Sequence, residues 1–389
     1  MLDPYRRVLA RPGALTFSVS GLVARLPLSM VGLGIVLLVS ATSGSYAVAG
    51  SVSAAYVVTN ATLALPQGRL LDRVGQRVVL VPLVLVFAAA LSVMAVSAYA
   101  EWPIVTTYVT AGIAGAALPA IGACVRARWS HVLTAPADVH TAYALESVFD
   151  EVVFISGPIL VTVLATAWHP LAGLGTAVVA AVIGTVVLAA QRSSEPPAHP
   201  RHDQTGAAVA MPWRAMAAIG VVCLALGMLF GSAEVITVAF SEELGVKSLS
   251  GLLLALWAAG SLVAGVVTGA VHWRMGPGQR LRYGTAALAL AMSPLFLIGS
   301  IPAMAVALFV GGFAVAPTLI ATNSLTEATV PRARLVEGMA IVHTGIAAGV
   351  APGAAIAGLL IDGYGASVAY LLPLVAGAIA AAAAQVTPR

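Results

Sequence analysis

Charged side chains are scarce in this 389-residue chain, where Asp, Glu, Lys and Arg make up 9% of the residues. A typical soluble domain has about a quarter. Hydrophobic residues reach 60%, and the mean hydropathy is +0.99. Apolar runs of about 20 residues, the length that a helix needs to cross the ~30 Å hydrocarbon core, recur along the whole chain. The composition therefore excludes a soluble domain and predicts an all-α integral membrane protein.

Cysteine and the common catalytic motifs are also scarce. The two cysteines, Cys124 and Cys223, lie in separate apolar runs, so we expect small apolar fillers rather than a disulfide framework. The chain contains no HExxH, no GxSxG and no GxxxxGK[ST] phosphate loop. We therefore predict that the protein is not an enzyme, holds no metal or cofactor, and takes energy from a proton gradient rather than from ATP.

Twelve apolar runs are predicted as transmembrane spans, at 14–41, 46–67, 78–99, 102–125, 139–167, 170–190, 214–240, 248–272, 283–300, 302–326, 338–361 and 366–386. The first has no cleavage-site pattern after it, which indicates a retained helix rather than a signal peptide. With the N-terminus in the cytoplasm, 17 of the 19 Lys and Arg residues fall on that side, as the positive-inside rule requires. The exceptions are Lys247 in an outer loop and Arg25 inside the first span.

This charge pattern predicts a multi-pass protein of the bacterial cytoplasmic (inner) membrane, with both termini cytoplasmic. The same topology explains the pI near 9.3, so no nucleic-acid partner is needed. We expect a monomer whose partners are a small-molecule substrate, protons and the lipid bilayer.

A polar segment at 191–212, rich in Pro, Ser and charge, predicts a cytoplasmic linker between two halves. We expect six-helix bundles at 1–190 and 213–389. Features of the first half recur in the second at an offset of about 200 residues. Such parallel duplication is typical of transporter folds that bind solute near mid-membrane between the repeats. The recurring pairs are Gly68 and Gly269, Arg73 and Arg274, Gly75 and Gly276, and Pro119 and Pro317.

The loop "GRLLDRVGQR" (68–77) resembles the signature loop of the major facilitator superfamily, and the helix count, linker and duplication resemble its twelve-helix bacterial efflux branch. The resemblance implies two pseudo-symmetric six-helix bundles that rock about a central site. It also implies a cytoplasmic latch in which Asp72 contacts the span beginning near Gly338, with Arg126 or Arg128 alongside. A topology signal in a solvated loop remains the alternative. The predicted latch residues are Gly68, Asp72, Arg73, Gly75, Arg77, Arg126 and Arg128.

Charges inside the spans mark the candidate site, because burying a charge in a membrane is costly. Arg25 lies ~16 Å into the first span, and the fifth span carries Glu146, Asp150 and Glu151. Glu146 and Asp150 share a helix face, where two carboxylates repel unless one is protonated or a cation intervenes. We predict a buried pair of Arg25 with Asp150 or Glu151, and a protonatable neighbour. Proton or substrate binding and a purely structural ion pair both remain open.

Two further residues are candidate proton-coupling or substrate contacts. Glu234 lies in the outer half of the seventh span, and its alternative role is at the outer interface. His343, about 8 Å into the eleventh span, either titrates or forms a structural hydrogen bond. Asn60, Tyr108 and Asn323 are weaker polar candidates.

These residues favour a secondary active transporter, with proton-coupled export (antiport) of small amphipathic or cationic molecules. The alternatives are a uniporter or proton symporter that takes up a small polar metabolite, and a lipid translocator. Residues 157 and 158 resemble part of an antiporter signature, but Val148 and Tyr108 depart from the family's pattern.

Overall fold

A computed structural model describes residues 3–43, 46–198, 210–246, 249–271 and 273–388. Within these ranges the regular structure is helical and no strand occurs. Residues 199–209 of the predicted linker and Lys247 of the predicted outer loop lie outside the described residues.

The helices follow one another with short connections. They are α1 (Asp3–Leu9), α2 (Ala14–Ser43), α3 (Tyr46–Val74), α4 (Gln76–Tyr99), α5 (Ile104–Ala117), α6 (Ile121–Val132), α7 (Pro136–Ala167), α8 (Ala172–Ala190), α9 (Trp213–Glu243), α10 (Ser250–Ala270), α11 (Pro277–Met292), α12 (Ile301–Gly312), α13 (Val315–Thr329), α14 (Leu335–Tyr364), α15 (Ala366–Ala369) and α16 (Leu371–Gln385).

Eleven segments of the described chain are long and apolar enough to cross a membrane. The predicted span at 283–300 corresponds to α11, which has 16 residues and ends at Met292. Pro294 lies two residues after the end of the helix, and because it lacks an amide hydrogen it cannot donate the next hydrogen bond of the helical series. A short 3₁₀ turn, Leu295–Leu297, follows. The ninth of the twelve predicted spans is therefore a shorter helix than expected.

Two of the predicted spans are interrupted at corresponding positions of the two halves. The fourth consists of α5 and α6, separated at Pro119, and the tenth consists of α12 and α13, separated just before Pro317. Side chains of α3 compensate the first interruption. Asn60 donates from Nδ2 to the Gly115 carbonyl at 3.2 Å, and Gln67 donates from Nε2 to the Ala116 carbonyl at 2.6 Å. Asn60 thus satisfies freed backbone groups, as interrupted membrane helices require.

Contacts divide the chain into two compact units. The N-unit comprises Val8–Leu133 and Phe149–Val209, and the C-unit comprises Met1–Arg7, Thr134–Val148 and Ala210–Arg389. Helix α7 is continuous, but its first part packs with the C-unit and the rest with the N-unit. The bundle boundaries expected at 191–212 stay a prediction.

Small residues allow close helix crossings within each unit. In the N-unit, a Cβ on Gly184 of α8 would lie 2.8 Å from Ala24 Cα of α2. In the C-unit, α9 and α14 interlock through glycines on both helices, namely Gly227, Gly231, Gly345, Gly349 and Gly353. A Cβ at any of these five positions would lie under 3.0 Å from an atom of the other helix. The glycines of α14 are spaced four residues apart, which places them on one helix face and lets the two backbones approach closely.

Candidate functional site

The charged centre of the N-unit begins with Arg25 on α2. Its Nη1 lies 2.6 Å from Asp150 Oδ1 of α7, and its Nε donates to the Gly21 carbonyl at 3.0 Å. The Arg25 side chain is 3% exposed, against 24% for Asp150. The ion pair of Arg25 with Asp150, one of the two acids predicted from the sequence, is present.

Arg126 on α6 supplies a second cation to the same carboxylate. Its Nη2 lies 2.7 Å from Asp150 Oδ2, and its side chain is 1% exposed. Arg126 is also one of the predicted latch residues, and its Nη1 donates to the Gly122 carbonyl, one turn earlier in α6, at 3.3 Å. The Cα–Cβ bonds of a helix tilt towards its N-terminus, and the N-terminus of α6 is the end at the interruption near Pro119. The long side chain of Arg126 therefore points back towards the interruption near Pro119.

Each oxygen of Asp150 thus accepts a hydrogen bond from a different buried arginine, and one carboxylate joins α2, α6 and α7. Charge-assisted bonds of this length are among the strongest that side chains make. The carboxylate is the most exposed of the three groups, so it is also the one that water or a proton can reach. Glu146 lies one helical turn earlier and is fully buried, and Glu151 is half-buried.

Close packing fixes the distance between α2 and α7 beside this centre. Ser29 of α2 donates from Oγ to the Val153 carbonyl at 2.8 Å. A Cβ at Gly157 would overlap Ser29 Oγ. The glycine therefore allows the approach that brings Arg25 within reach of Asp150.

The predicted latch loop lies at the junction of α3 and α4. Gly68 is buried, Asp72 is half-buried, and the side chains of Arg73 and Arg77 are exposed. Gly75 has φ 99° and ψ 151°, a conformation that is essentially restricted to glycine. This turn presents the Arg77 backbone N–H to Glu195 Oε1 at 2.8 Å. The contact predicted between Asp72 and the helix near Gly338 stays a prediction.

Arg128 links the same turn to the segment after α8 through hydrogen bonds. It is buried and donates from Nε to Gln76 Oε1 at 2.7 Å. Its Nη1 donates to the Gln191 carbonyl and to Ser194 Oγ, both at 2.8 Å. The described partners of Arg128 are thus the start of α4 and the segment after α8.

The remaining candidates lie in the C-unit. Glu234 is exposed on α9 and, together with Glu242, lines a groove of about 400 Å³ between α9 and α14. His343 is half-buried on α14, and Asn323 donates to the Leu319 carbonyl of its own helix. Among the residues that the structure describes, no group of His, Cys, Asp and Glu is arranged to hold a metal ion.

The family model described as Major Facilitator Superfamily matches residues 17–303. The chain belongs to the major facilitator superfamily. It is therefore a multi-pass membrane transporter and not an enzyme, and its mostly apolar helices are the spans of that fold. No curated relative matches the chain.

Solved structures of other major facilitator transporters share the fold. The human organic anion transporter MFSD10 (TETRAN) superposes with a TM-score of 0.75 at 15% identity, covering 98% of this chain and all of that one. A bacterial homologue of the iron transporter ferroportin in its outward-facing state gives 0.73 at 15% identity, covering 96% of this chain and 98% of that one. At this identity the likeness concerns the fold alone.

Proposed function

We propose that this transporter couples proton entry to the export of small amphipathic or cationic molecules, in the bacterial cytoplasmic membrane and as a monomer with both termini cytoplasmic. The observation that carries the proposal is the bridging of Arg25 and Arg126 by Asp150 inside the N-unit. An ionised group at this depth is costly and usually marks a solute or ion pathway. Asp150 is placed to exchange a proton because it is the partly exposed member of the cluster.

Protonation of Asp150 is the step that links proton binding to movement. An ionised carboxylate holds α2 and α6 against α7 through its two oxygens. A neutral carboxyl group no longer balances either guanidinium, so both bonds weaken and the three helices are free to shift. Glu146 and Glu151, on the same helix, are the further acids that we expect to share the proton or contact a cationic solute. Glu234 and His343 are the corresponding candidates of the C-unit.

A second candidate solute class is an organic anion, and Arg126 is the observation that favours it. The sequence had suggested a single cation at mid-depth, whereas the structure places two arginines around one carboxylate. Once Asp150 is protonated, the pair would attract a carboxylate or sulfonate of a solute. One structural neighbour is described as an organic anion transporter, so organic anions are included among the solutes of the test.

The test is proton movement in liposomes that contain purified protein and a pH-sensitive dye. Lipophilic cations and organic anions are added in separate panels to the wild type, to Asp150→Asn and to Glu151→Gln. We expect solute-evoked proton flux in the wild type and at least a tenfold loss in Asp150→Asn. The active panel identifies the solute class. Solute movement without proton flux, unchanged in Asp150→Asn, would refute proton coupling and favour a uniporter.

Loss of folding must be separated from loss of coupling, because Asp150→Asn leaves two buried arginines without their shared acid. The double variant Arg25→Gln/Asp150→Asn removes one of the two stranded charges, and its melting temperature shows whether the fold recovers. A double variant that is folded but shows no proton flux supports coupling through Asp150. Recovered flux in that variant would reduce the cluster to a structural ion pair.

A further inference from the structure

The C-terminal end of α10 is capped by side chains from distant parts of the chain. A helix leaves its last carbonyl groups without partners inside the helix. Thr141 donates from Oγ to the Gly269 carbonyl at 2.8 Å, and Trp273 donates from Nε1 to the Thr268 carbonyl at 2.9 Å. His140 Nε2 lies 3.1 Å from the same Thr268 carbonyl oxygen.

A fourth donor comes from the N-terminal helix. Tyr5 on α1 donates from its hydroxyl to the Val266 carbonyl at 2.8 Å. Burial raises the pKa of Tyr5 to about 12, so the hydroxyl keeps its hydrogen at any pH that a cell experiences. A Cβ on Gly269 would overlap both Tyr5 and Ala144 of α7. The glycine repeated from the first half thus allows both helices to reach the end of α10.

The donors Tyr5, His140 and Thr141 belong to the first half of the sequence, whereas α10 belongs to the second. All of them lie within the C-unit, at the end of α10 that faces the predicted cytoplasmic side. A transporter that works by alternating access must separate its two halves on one side of the membrane at a time. With the predicted halves 1–190 and 213–389 as the moving bodies, opening towards the predicted cytoplasmic side has to break these bonds.

The hydrogen-bond partners of His140 require a neutral imidazole. A carbonyl oxygen only accepts, so the hydrogen on the ring must be on Nε2, facing Thr268. Arg280 Nη1 of α11 lies 2.8 Å from Nδ1 and 3.1 Å from Nε2, so the guanidinium group is in contact with the ring itself. A second proton on the ring would place two positive charges in contact. Asp138, two residues before His140 on α7, pairs with Arg7 at 3.9 Å.

We propose that His140 makes this cap a proton-sensitive latch on the predicted cytoplasmic side. With neutral His140, α7 is bonded to the end of α10 and to the start of α11 through Arg280. With protonated His140, the bond to Arg280 is replaced by repulsion and the latch opens. The proposal rests on the alternating access of the proposed function, but it does not depend on Asp150 or on the identity of the solute.

The test is the distance between spin labels at Ala137→Cys on α7 and Gln279→Cys on α11, two exposed positions of the C-unit. The labels are introduced after Cys124 and Cys223 have been replaced, and pulsed electron paramagnetic resonance is recorded in lipid nanodiscs from pH 8 to pH 5. We expect a longer-distance population that grows as the pH falls. One linked proton changes the ratio of open to closed molecules by at most about tenfold per pH unit.

His140→Gln is the decisive variant, because glutamine can donate to the Thr268 carbonyl and remains neutral beside Arg280 at every pH. We expect its labels to stay at the short distance down to pH 5. A His140→Gln curve that follows the wild-type curve, or a wild-type distance that does not change with pH, would overturn the proposal.

A matched pair of arginine variants separates the latch from a general effect of charge. Arg280→Gln removes the cation that faces His140 and should weaken the pH dependence. Arg282→Gln removes a charge two residues away, on a side chain that donates to the Ala384 and Thr387 carbonyls. This variant should keep the pH dependence of the wild type. Equal pH curves for the two variants would contradict a specific role of Arg280. The distance measurement needs no solute, so its failure is distinct from a loss of proton flux in Asp150→Asn.

Discussion

Gly349 provides a quantitative test of the packing between α9 and α14. A methyl group at this position would overlap the Leu224 carbonyl oxygen and lie 2.7 Å from Met228 N. Both atoms belong to the backbone of α9, so no side chain can rotate away and the helices themselves must separate. Overpacking costs about 1–3 kcal/mol, whereas replacing a helical glycine by alanine gains up to about 1 kcal/mol. Because the clash is with backbone atoms, we expect Gly349→Ala to lower the free energy of unfolding by about 2 kcal/mol net.

Gly358 is the matched control on the same helix. A methyl group there would meet no atom within 4 Å, so Gly358→Ala keeps the propensity gain of about 0.5–1 kcal/mol without a clash. The melting temperatures are measured by thermal unfolding in detergent, followed by tryptophan fluorescence. Relative to the wild type, we expect that of Gly349→Ala to be a few degrees lower and that of Gly358→Ala to be slightly higher. Equal melting temperatures for the two variants would refute the argument that the helix crossing depends on the missing Cβ.

Two other substitutions give stability predictions. Asp150→Asn should lower the free energy of unfolding by about 3–5 kcal/mol because two buried guanidinium groups lose the carboxylate that they share. Denaturant unfolding in mixed micelles measures the loss, and a change below about 1 kcal/mol would contradict the ion-pair geometry. Gly75→Ala should lower the free energy of unfolding by about 1–3 kcal/mol, because alanine is strained at the positive φ of this position. Gly276 has φ −65° and open space around it, so Gly276→Ala should leave the free energy of unfolding nearly unchanged in the same assay. A Gly276→Ala loss as large as that at Gly75 would show that the backbone conformation is not the cause.

Much of the fold follows from the sequence because membrane spans obey a simple length and polarity requirement. The depth of Arg25 in the first span, together with the acids of the fifth span, predicted an ion pair with Asp150 or Glu151, since a lone charge at that depth needs a partner. The duplicated glycines also predicted two related halves. The interruptions next to Pro119 and Pro317 had a visible signal, but an apolar run does not tell whether a proline kinks a helix or divides it.

The roles of Arg126 and His140 did not follow from the sequence. Arg126 directly follows the predicted fourth span and His140 is the second residue of the predicted fifth span, and a charged or polar residue at such a position is ordinarily assigned to solvent. The direction of the Arg126 side chain depends on the polarity of α6 relative to the membrane, which is a three-dimensional property. The partners of His140 are more than 120 residues away in the chain, and only the fold brings the end of α10 beside it.

The glycine contacts between α9 and α14 have a consequence for experiments on motion. Two helices that touch through backbone atoms along several turns cannot slide past each other without steric overlap. Labels placed across them should report one constant distance in every stage of the transport cycle. The distance between α9 and α14 therefore provides a constant reference, against which the displacement of any other helix can be measured.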